Sequence, residues 1–459
     1  MKSFLYVFFL TAIFAPEPAV AAASQRSLCD TECLTKFRQA WTTEAAAWVN
    51  TNMSADDFYA NPSNLSDYDI GDLVKWEDIT PDDASQLWTI PAGMSLSRFF
   101  YITEDIDGKP IPATAFALLP YHNPLGPEKP LRTVVWAHGT AGGTRQCAPS
   151  NHKTLYYNWE APFAIANQGY AVIAPDYAGQ GSDIPQGFMY ESGALHAGDV
   201  SHGLKAARKA LGNAISKEWV VVGHSEGGLT AWRTNEREAR SGKATGGFLG
   251  AVSAAPALRP LTLIPKSFKL ADGGPVGDVV SIFFLQSLSR LLPSIKVEDY
   301  VTDIVAYRIA LADQACLSTG AALFSSLTAE QLYKNTSWLT HPDVVDWQKR
   351  YNGVGPHMLA APMLIVQGEN DTVTYAAELE DDFNETCEKY PDSKAELLLY
   401  PGLDHDPSFQ AGLPDYLAWI KARFDGEEAQ KGCKKRTIKP VNDRFSVTQF
   451  NWQAIIQAD

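Results

Sequence analysis

Six short apolar runs, recurring with helical stretches between them, limit what this chain can fold into more than any other feature. They are L-R-T-V-V-W-A at 131–137, Y-A-V-I-A at 170–174, W-V-V-V at 219–222, F-L-G-A-V-S at 248–253, M-L-I-V-Q at 363–367 and L-L-L-Y at 397–400. Each is too short for a helix and too continuously apolar for a strand with one wet face, so each reads as a strand buried on both faces. Helical patterns near 158–168, 195–212, 226–240, 374–390 and 413–424 separate most of them. Strand and helix in alternation predict an α/β protein with a mostly parallel central sheet and helices on both faces. Ahead of the runs, S-R-F-F-Y-I-T and T-A-F-A-L-L-P flank the turn D-G-K-P at 107–110 and read as a strand pair.

The rhythm breaks once, over about a hundred residues. Residues 255–360 hold no clear parallel strand but include the amphipathic segment V-V-S-I-F-F-L-Q-S-L-S-R-L-L-P at 279–293, so this block is predicted to be a helical cap or lid insertion. The predicted organisation is a signal peptide at 1–21, an N-terminal extension at 22–95 and a core at 96–254 and 361–425. The cap insertion at 255–360 interrupts that core, and an appendage at 426–459 follows it. The segment at 279–293 is read as the buried face of the cap, with a mobile lid for an oil surface as the other reading.

The N-terminus predicts the compartment. Lys2 precedes an apolar run at 4–14, too short to span a bilayer, and small residues follow, with cleavage after Ala21 or Ala23. The protein is therefore expected to be secreted and extracellular. The six cysteines, Cys29, Cys33, Cys147, Cys316, Cys387 and Cys433, are then expected to form three disulfides, with fifteen connectivities open. Glycosylation sequons begin at Asn52, Asn64, Asn335 and Asn384, and a fifth, Asn370, is expected to stay bare because it adjoins a catalytic candidate. The net charge of −15 argues against nucleic acid as a partner, which needs clustered Lys and Arg, and against attachment to anionic lipid.

The chemistry is concentrated at G-H-S-E-G-G, residues 223–228, directly after W-V-V-V and opening the helical stretch at 229–239. Strand, G-x-S-x-G and helix in succession describe a nucleophile elbow, in which a strained turn lifts Ser225 above the sheet. Gly223 and Gly227 let neighbouring backbone pass, and the helix N-terminus favours developing negative charge at Ser225. A serine needs a base, and in this arrangement the acid and then the histidine follow it in sequence. Of the nine histidines only His341, His357 and His405 come after Ser225. His405, in Y-P-G-L-D-H-D past the last apolar run, is the candidate base, because the other two would precede the acid. Asp371, in Q-G-E-N-D-T-V, is the candidate acid, with Glu369 as the alternative; Asp404 and Asp406 read as local loop structure. The oxyanion hole is predicted from the backbone N–H groups of Glu226 and of Thr140 in W-A-H-G-T, where Thr140 also offers a hydroxyl. His138 reads as a loop-fixing residue, and D-Y-A-G-Q-G-S-D at 176–183 as a tight loop lining the site.

The ordered set H-G-T, C-A-P-S, D-Y-x-G-x-G, G-H-S-E-G-G, G-E-N-D and D-H resembles the fungal secretory lipases, α/β-hydrolases similar to the yeast lipase A type, over about 55–425. The resemblance implies an α/β-hydrolase fold, a Ser225–Asp371–His405 triad, an oxyanion hole at Thr140 and Glu226, and a cap that shapes an acyl pocket. It also implies the pairs Cys147–Cys316 and Cys387–Cys433, which leaves Cys29–Cys33. Departures are Glu226, where some members carry a small residue, and Thr140, where the yeast type has an acid. The expectation is a secreted serine carboxylic-ester hydrolase without metal or organic cofactor. It would act as a monomer on a small-molecule ester or lipid, with transient contact at a lipid interface. The alternatives are a small-molecule deacylase, a secreted serine peptidase of the same fold, and a non-catalytic binding protein.

Overall fold

The computed structural model describes residues 28–312 and 315–447. The signal-peptide segment 1–21 lies outside the described residues. A single sheet of ten strands organises the chain. They are β1 (Leu73–Asp78), β2 (Met94–Glu104), β3 (Pro110–Pro120), β4 (Leu131–Ala137), β5 (Ala171–Pro175), β6 (Ile215–His224), β7 (Phe248–Ala254), β8 (Met363–Gly368), β9 (Ala395–Tyr400) and β10 (Cys433–Thr437). Their spatial order is β1-β2-β3-β5-β4-β6-β7-β8-β9-β10. The first three pairings in that order are antiparallel, and every later pairing is parallel.

The six apolar runs are β4 to β9. Val134 and Val135, and likewise Val220 and Val221, are fully buried and belong to different apolar clusters. Successive side chains point to opposite faces, so an uninterrupted apolar run is what a strand covered on both sides requires. The helix Gly193–Leu211 packs Leu195, Val200 and Leu204 into one cluster, and the helix Leu413–Phe424 packs Tyr416 and Ile420 into the other.

Two strands arise outside the predicted core. β1, in the N-terminal extension, pairs with β2, and β10, in the C-terminal appendage, pairs with β9. β10 reads C-K-K-R-T and is exposed from its second residue on, so it carries no apolar signal. The extension is held to the sheet by Arg98 of β2, a buried guanidinium paired with Asp56 at 3.0 Å and Glu77 at 2.6 Å.

Between β7 and β8 the chain runs through helices Pro260–Leu270, Val280–Leu291, Asp303–Leu311, Leu317–Phe324 and Pro342–Trp347. Helix Val280–Leu291 buries Ile282, Phe283, Phe284, Leu285 and Leu288, so its apolar face is packed inside the cap. Among the described residues no helix is long and apolar enough to cross a membrane.

Disulfides join Cys29 to Cys33, Cys147 to Cys316 and Cys387 to Cys433. The second ties the cap to the loop after β4, where Leu317 N–H also donates to the Ala141 carbonyl at 2.9 Å. Glu44, on helix Thr31–Ala46, braces the same point. Its carboxylate accepts from Cys316 N–H at 2.8 Å, Ser318 N–H at 3.0 Å and the Thr319 hydroxyl at 2.7 Å, at the start of helix Leu317–Phe324. Replacing Cys147 and Cys316 together by serine is expected to lower unfolding free energy by about 2–5 kcal/mol, checked by the guanidinium midpoint.

The sequons at Asn52, Asn64, Asn335 and Asn384 are exposed, and Asn370 shares that exposure.

Candidate active site

The elbow between β6 and helix Glu226–Arg240 presents Ser225 in a left-handed conformation, φ 60° and ψ −121°. That conformation is costly for a residue with a Cβ and persists only when its surroundings fix it. Here Ser225 N–H donates to the Ala254 carbonyl at 2.9 Å, and Leu229 N–H to the Ser225 carbonyl at 3.0 Å. The flanking glycines are required by close approach. A Cβ on Gly223 would meet the Gly227 carbonyl oxygen at 1.9 Å, and one on Gly227 the Ala137 carbonyl oxygen at 2.0 Å.

His405 opens the helix His405–Ala411, with Asp404 as its N-cap, and its Nδ1 lies 2.9 Å from Asp371 Oδ2. Asp371, in the loop after β8, is fully engaged. Oδ1 accepts from the N–H groups of Val373 at 2.8 Å and Thr374 at 2.7 Å, and Oδ2 from Gln367 Nε2 and the Thr374 hydroxyl, each at 2.9 Å. Burial opposes both charges. The mutual attraction of the pair overcomes it, raising His405 to about 9 and lowering Asp371. Glu369 is exposed, His341 caps the distant helix Pro342–Trp347, and His357 is half-buried. Asp404 accepts from the N–H groups of His405 and Thr372, each at 2.8 Å, as local loop structure would.

Thr140 and Glu226 flank Ser225, and among the described residues neither backbone N–H has an acceptor. The loop carrying Thr140 is fixed from behind. His138 Nδ1 lies 2.7 Å from the Gly139 carbonyl, and the Tyr177 and Tyr156 hydroxyls donate to the carbonyls of His138 at 2.9 Å and Thr140 at 2.7 Å. The segment 176–183 supports that loop through Tyr177 and does not line the cavity in front of Ser225, a difference from the sequence reading. Asp176 is buried in the same segment and bonded to Thr114 and Ser150 at 2.7 and 2.6 Å, so its acid is a brace.

That cavity holds about 130 Å³. Thr140, Tyr190, Glu191 and Ser225 give it polar lining, while Leu263, Ile264, Val276, Val280 and Phe284 of the cap give apolar walls. Three further residues stand around the site. His224, inside G-H-S-E-G-G, lies tilted against His405 with ring centroids 4.7 Å apart, and its Nδ1 is 2.9 Å from the Tyr157 hydroxyl. Burial, then the neighbouring His405 charge, hold it well below the usual imidazole range. Tyr190 and Glu191 come from a loop between the tight loop and the helix Gly193–Leu211, and only three-dimensional proximity reveals them.

Comparison with known proteins places the fold. The Hydrolase_4 family model, described as serine aminopeptidase, S33, matches residues 157–410. Lipase 10 of Candida albicans is 23% identical over 419 residues, covering 85% of this chain and 85% of that protein. The secreted triacylglycerol lipase LIP4 of Malassezia globosa is 24% identical over 409 residues, with 82% of each covered. Among solved structures, Candida antarctica lipase A superposes with a TM-score of 0.66 at 17% identity, over 83% of this chain and 88% of that one. The rice cell wall degrading esterase LipA of Xanthomonas oryzae gives 0.58 at 17% identity, over 79% and 100%. The α/β-hydrolase fold and the likeness to fungal lipases implied by the motif order are both met.

Proposed function

The chain belongs to the Hydrolase_4 family (serine aminopeptidase, S33), and from that membership and its lipase relatives we propose a secreted serine carboxylic-ester hydrolase that works through an acyl-enzyme. At the coarser level it is a hydrolase of the lipase/esterase type. The observation that carries the finer reading is the 2.9 Å Asp371–His405 pair, with His405 4.7 Å from the ring of His224, the residue before a strained Ser225 that lines a largely apolar cavity.

Ser225 Oγ attacks the ester carbonyl as its proton passes to His405 Nε2. Asp371 holds the opposite ring nitrogen and stabilises the imidazolium. The N–H groups of Thr140 and Glu226 receive the developing oxyanion. His405 returns the proton to the leaving alkoxide, then activates water to release the acid and restore Ser225. Among the described residues the Ser225 hydroxyl has no hydrogen-bond partner, a common state of a catalytic serine before substrate binds. The substrate is a small-molecule ester or lipid handled by a monomer, and transient contact with a lipid surface belongs to the same proposal.

The apolar walls of the cavity come from a cap whose helix Val280–Leu291 is packed in place. With the cap closed over Ser225, the reading favours a short acyl group. The expected p-nitrophenyl ester profile peaks at short acyl chains, and emulsified triglyceride gives no stimulation. A maximum on long-chain emulsions would instead mean that the cap opens and that the protein is a true lipase.

The family description brings a peptidase into view as a second reading. Glu191 and Asp278 border the cavity where a substrate ammonium would need an ionised partner. Burial pushes both carboxyls upward, Glu191 to about 8, which disfavours that partner and supports the ester reading. Turnover of an aminoacyl amide faster than any ester would reverse the order.

A further inference from the structure

A second cavity, of about 310 Å³, lies between the end of helix Thr31–Ala46, the loop after β4 and the start of helix Leu317–Phe324. It shares no lining residue with the cavity in front of Ser225. Trp48, Ala141, Tyr156 and Leu317 give it apolar walls, and Thr43, exposed, stands at its edge. The segment that borders it is strained. Leu155, Tyr156 and Asn158 hold φ of 53°, 67° and 36°, a region that residues with a Cβ seldom enter. Such strain persists only where surroundings enforce it, and it clusters at functional sites. Here it brings two hydroxyls to the catalytic side. The Tyr156 hydroxyl donates to the Thr140 carbonyl at 2.7 Å, and the Tyr157 hydroxyl lies 2.9 Å from Nδ1 of His224, the residue before Ser225. Tyr156 therefore belongs both to this cavity and to the support of the oxyanion loop.

The polar groups left over at this cavity are donors. The Thr154 N–H and hydroxyl lie 3.3 and 3.0 Å from His152 Nδ1. A main-chain N–H can only donate, so Nδ1 accepts and the ring proton sits on Nε2. Burial, then the neighbouring Lys153 charge, hold His152 down at about 4, so the ring is neutral and offers this one donor. Among the described residues Nε2 meets no acceptor. Lys153 also lines the cavity. Its ammonium donates to the Ala46 carbonyl at 2.7 Å and pairs with no carboxylate among the described residues. Glu44 borders the cavity too, but its oxygens are engaged. They accept from the N–H groups of Cys316, Ser318 and Thr319 and from the Thr319 hydroxyl.

An N–H donor and an unpaired ammonium beside apolar walls suit a carboxylate carried on an apolar body. We propose that this cavity is a second ligand site, for a small carboxylate with an aromatic or alkyl body, and that its occupant supports the oxyanion loop through Tyr156. An occupant packed on Trp48 and Tyr156 favours the left-handed conformation in which Tyr156 holds Thr140, and so raises kcat. The effect on rate rests on the ester-hydrolase reading above; binding to the cavity does not. The acid released from an ester by the enzyme itself and acids from elsewhere share this chemistry.

The test titrates the full-length enzyme with phenylacetate by calorimetry and follows hydrolysis of a short p-nitrophenyl ester alongside. Phenylacetate is expected to bind, to raise kcat about threefold and to leave KM unchanged. Phenylacetamide keeps the body without the charge and is expected to bind about tenfold more weakly. Thr43→Trp fills the cavity from an exposed position outside the catalytic machinery. It is expected to keep basal kcat and to abolish both binding and activation. Should it fail to fold, His152→Phe decides, since it removes the Nε2 donor and is expected to weaken phenylacetate binding about tenfold. Simple competition with the ester, a kcat that stays level or falls, an amide that binds as tightly as the acid, or binding that Thr43→Trp and His152→Phe leave unchanged overturns the proposal. With activation by phenylacetate in hand, an accelerating progress curve on p-nitrophenyl butyrate assigns the site to the enzyme's own product, and a linear one to acids from elsewhere. Failure of the ester-hydrolase reading is separate. It would appear as activity surviving in Ser225→Ala, a variant that still binds phenylacetate if the cavity is a ligand site.

Discussion

Ser225→Ala is expected to lower kcat for a short p-nitrophenyl ester by roughly 10⁴-fold or more, with an unchanged denaturation midpoint. The midpoint matters because Ser225 occupies a left-handed turn, and alanine tolerates that turn no better than serine does. The turn is held by main-chain bonds to Ala254 and Leu229, which the substitution leaves in place. A loss of rate without loss of stability therefore isolates the hydroxyl. Residual hydrolysis at wild-type rate would remove Ser225 from the mechanism and with it the acyl-enzyme.

Asp371→Asn is expected to reduce kcat about 10⁴-fold and to move the ascending limb of the kcat/KM profile to lower pH. The sign follows from the pair. Burial disfavours the His405 cation, and the Asp371 carboxylate more than offsets that, bringing the group to about 9. Wild-type activity should therefore rise as pH passes upward toward that value and the imidazole becomes free to accept a proton. Asparagine keeps the shape but not the charge, so the imidazole loses its proton at a lower pH while the correct tautomer is no longer enforced. An unshifted ascending limb would mean that His405 is not the titrating base.

Much of this was legible in the sequence because it rests on local rules. β4 to β9 announced themselves as apolar runs, since strands covered on both faces have no polar alternation to dilute the signal. Ser225, Asp371 and His405 each follow a strand, so strand order placed them at one edge of the sheet before any coordinates did. β10 escaped notice for the opposite reason. It is an edge strand of lysine and arginine, fixed by its pairing to β9 and by the Cys387–Cys433 bond. Glu191 and Tyr190 were invisible because no local pattern distinguishes a buried acid from an exposed one. Their placement depends on Glu226, Asn352 and Thr140, all far away in sequence.

The Cys147–Cys316 bond sets a boundary condition on how substrate can be admitted. It anchors the cap only a few residues from Thr140, and Glu44 caps the helix that begins there. No movement of the cap can separate these two points while the bond is intact. Any opening must therefore leave residue 316 in place and displace other parts of the cap, such as the helix Pro260–Leu270 that brings Leu263 to the cavity. A door hinged on the oxyanion side can widen the acyl end without disturbing the donors that receive the charge.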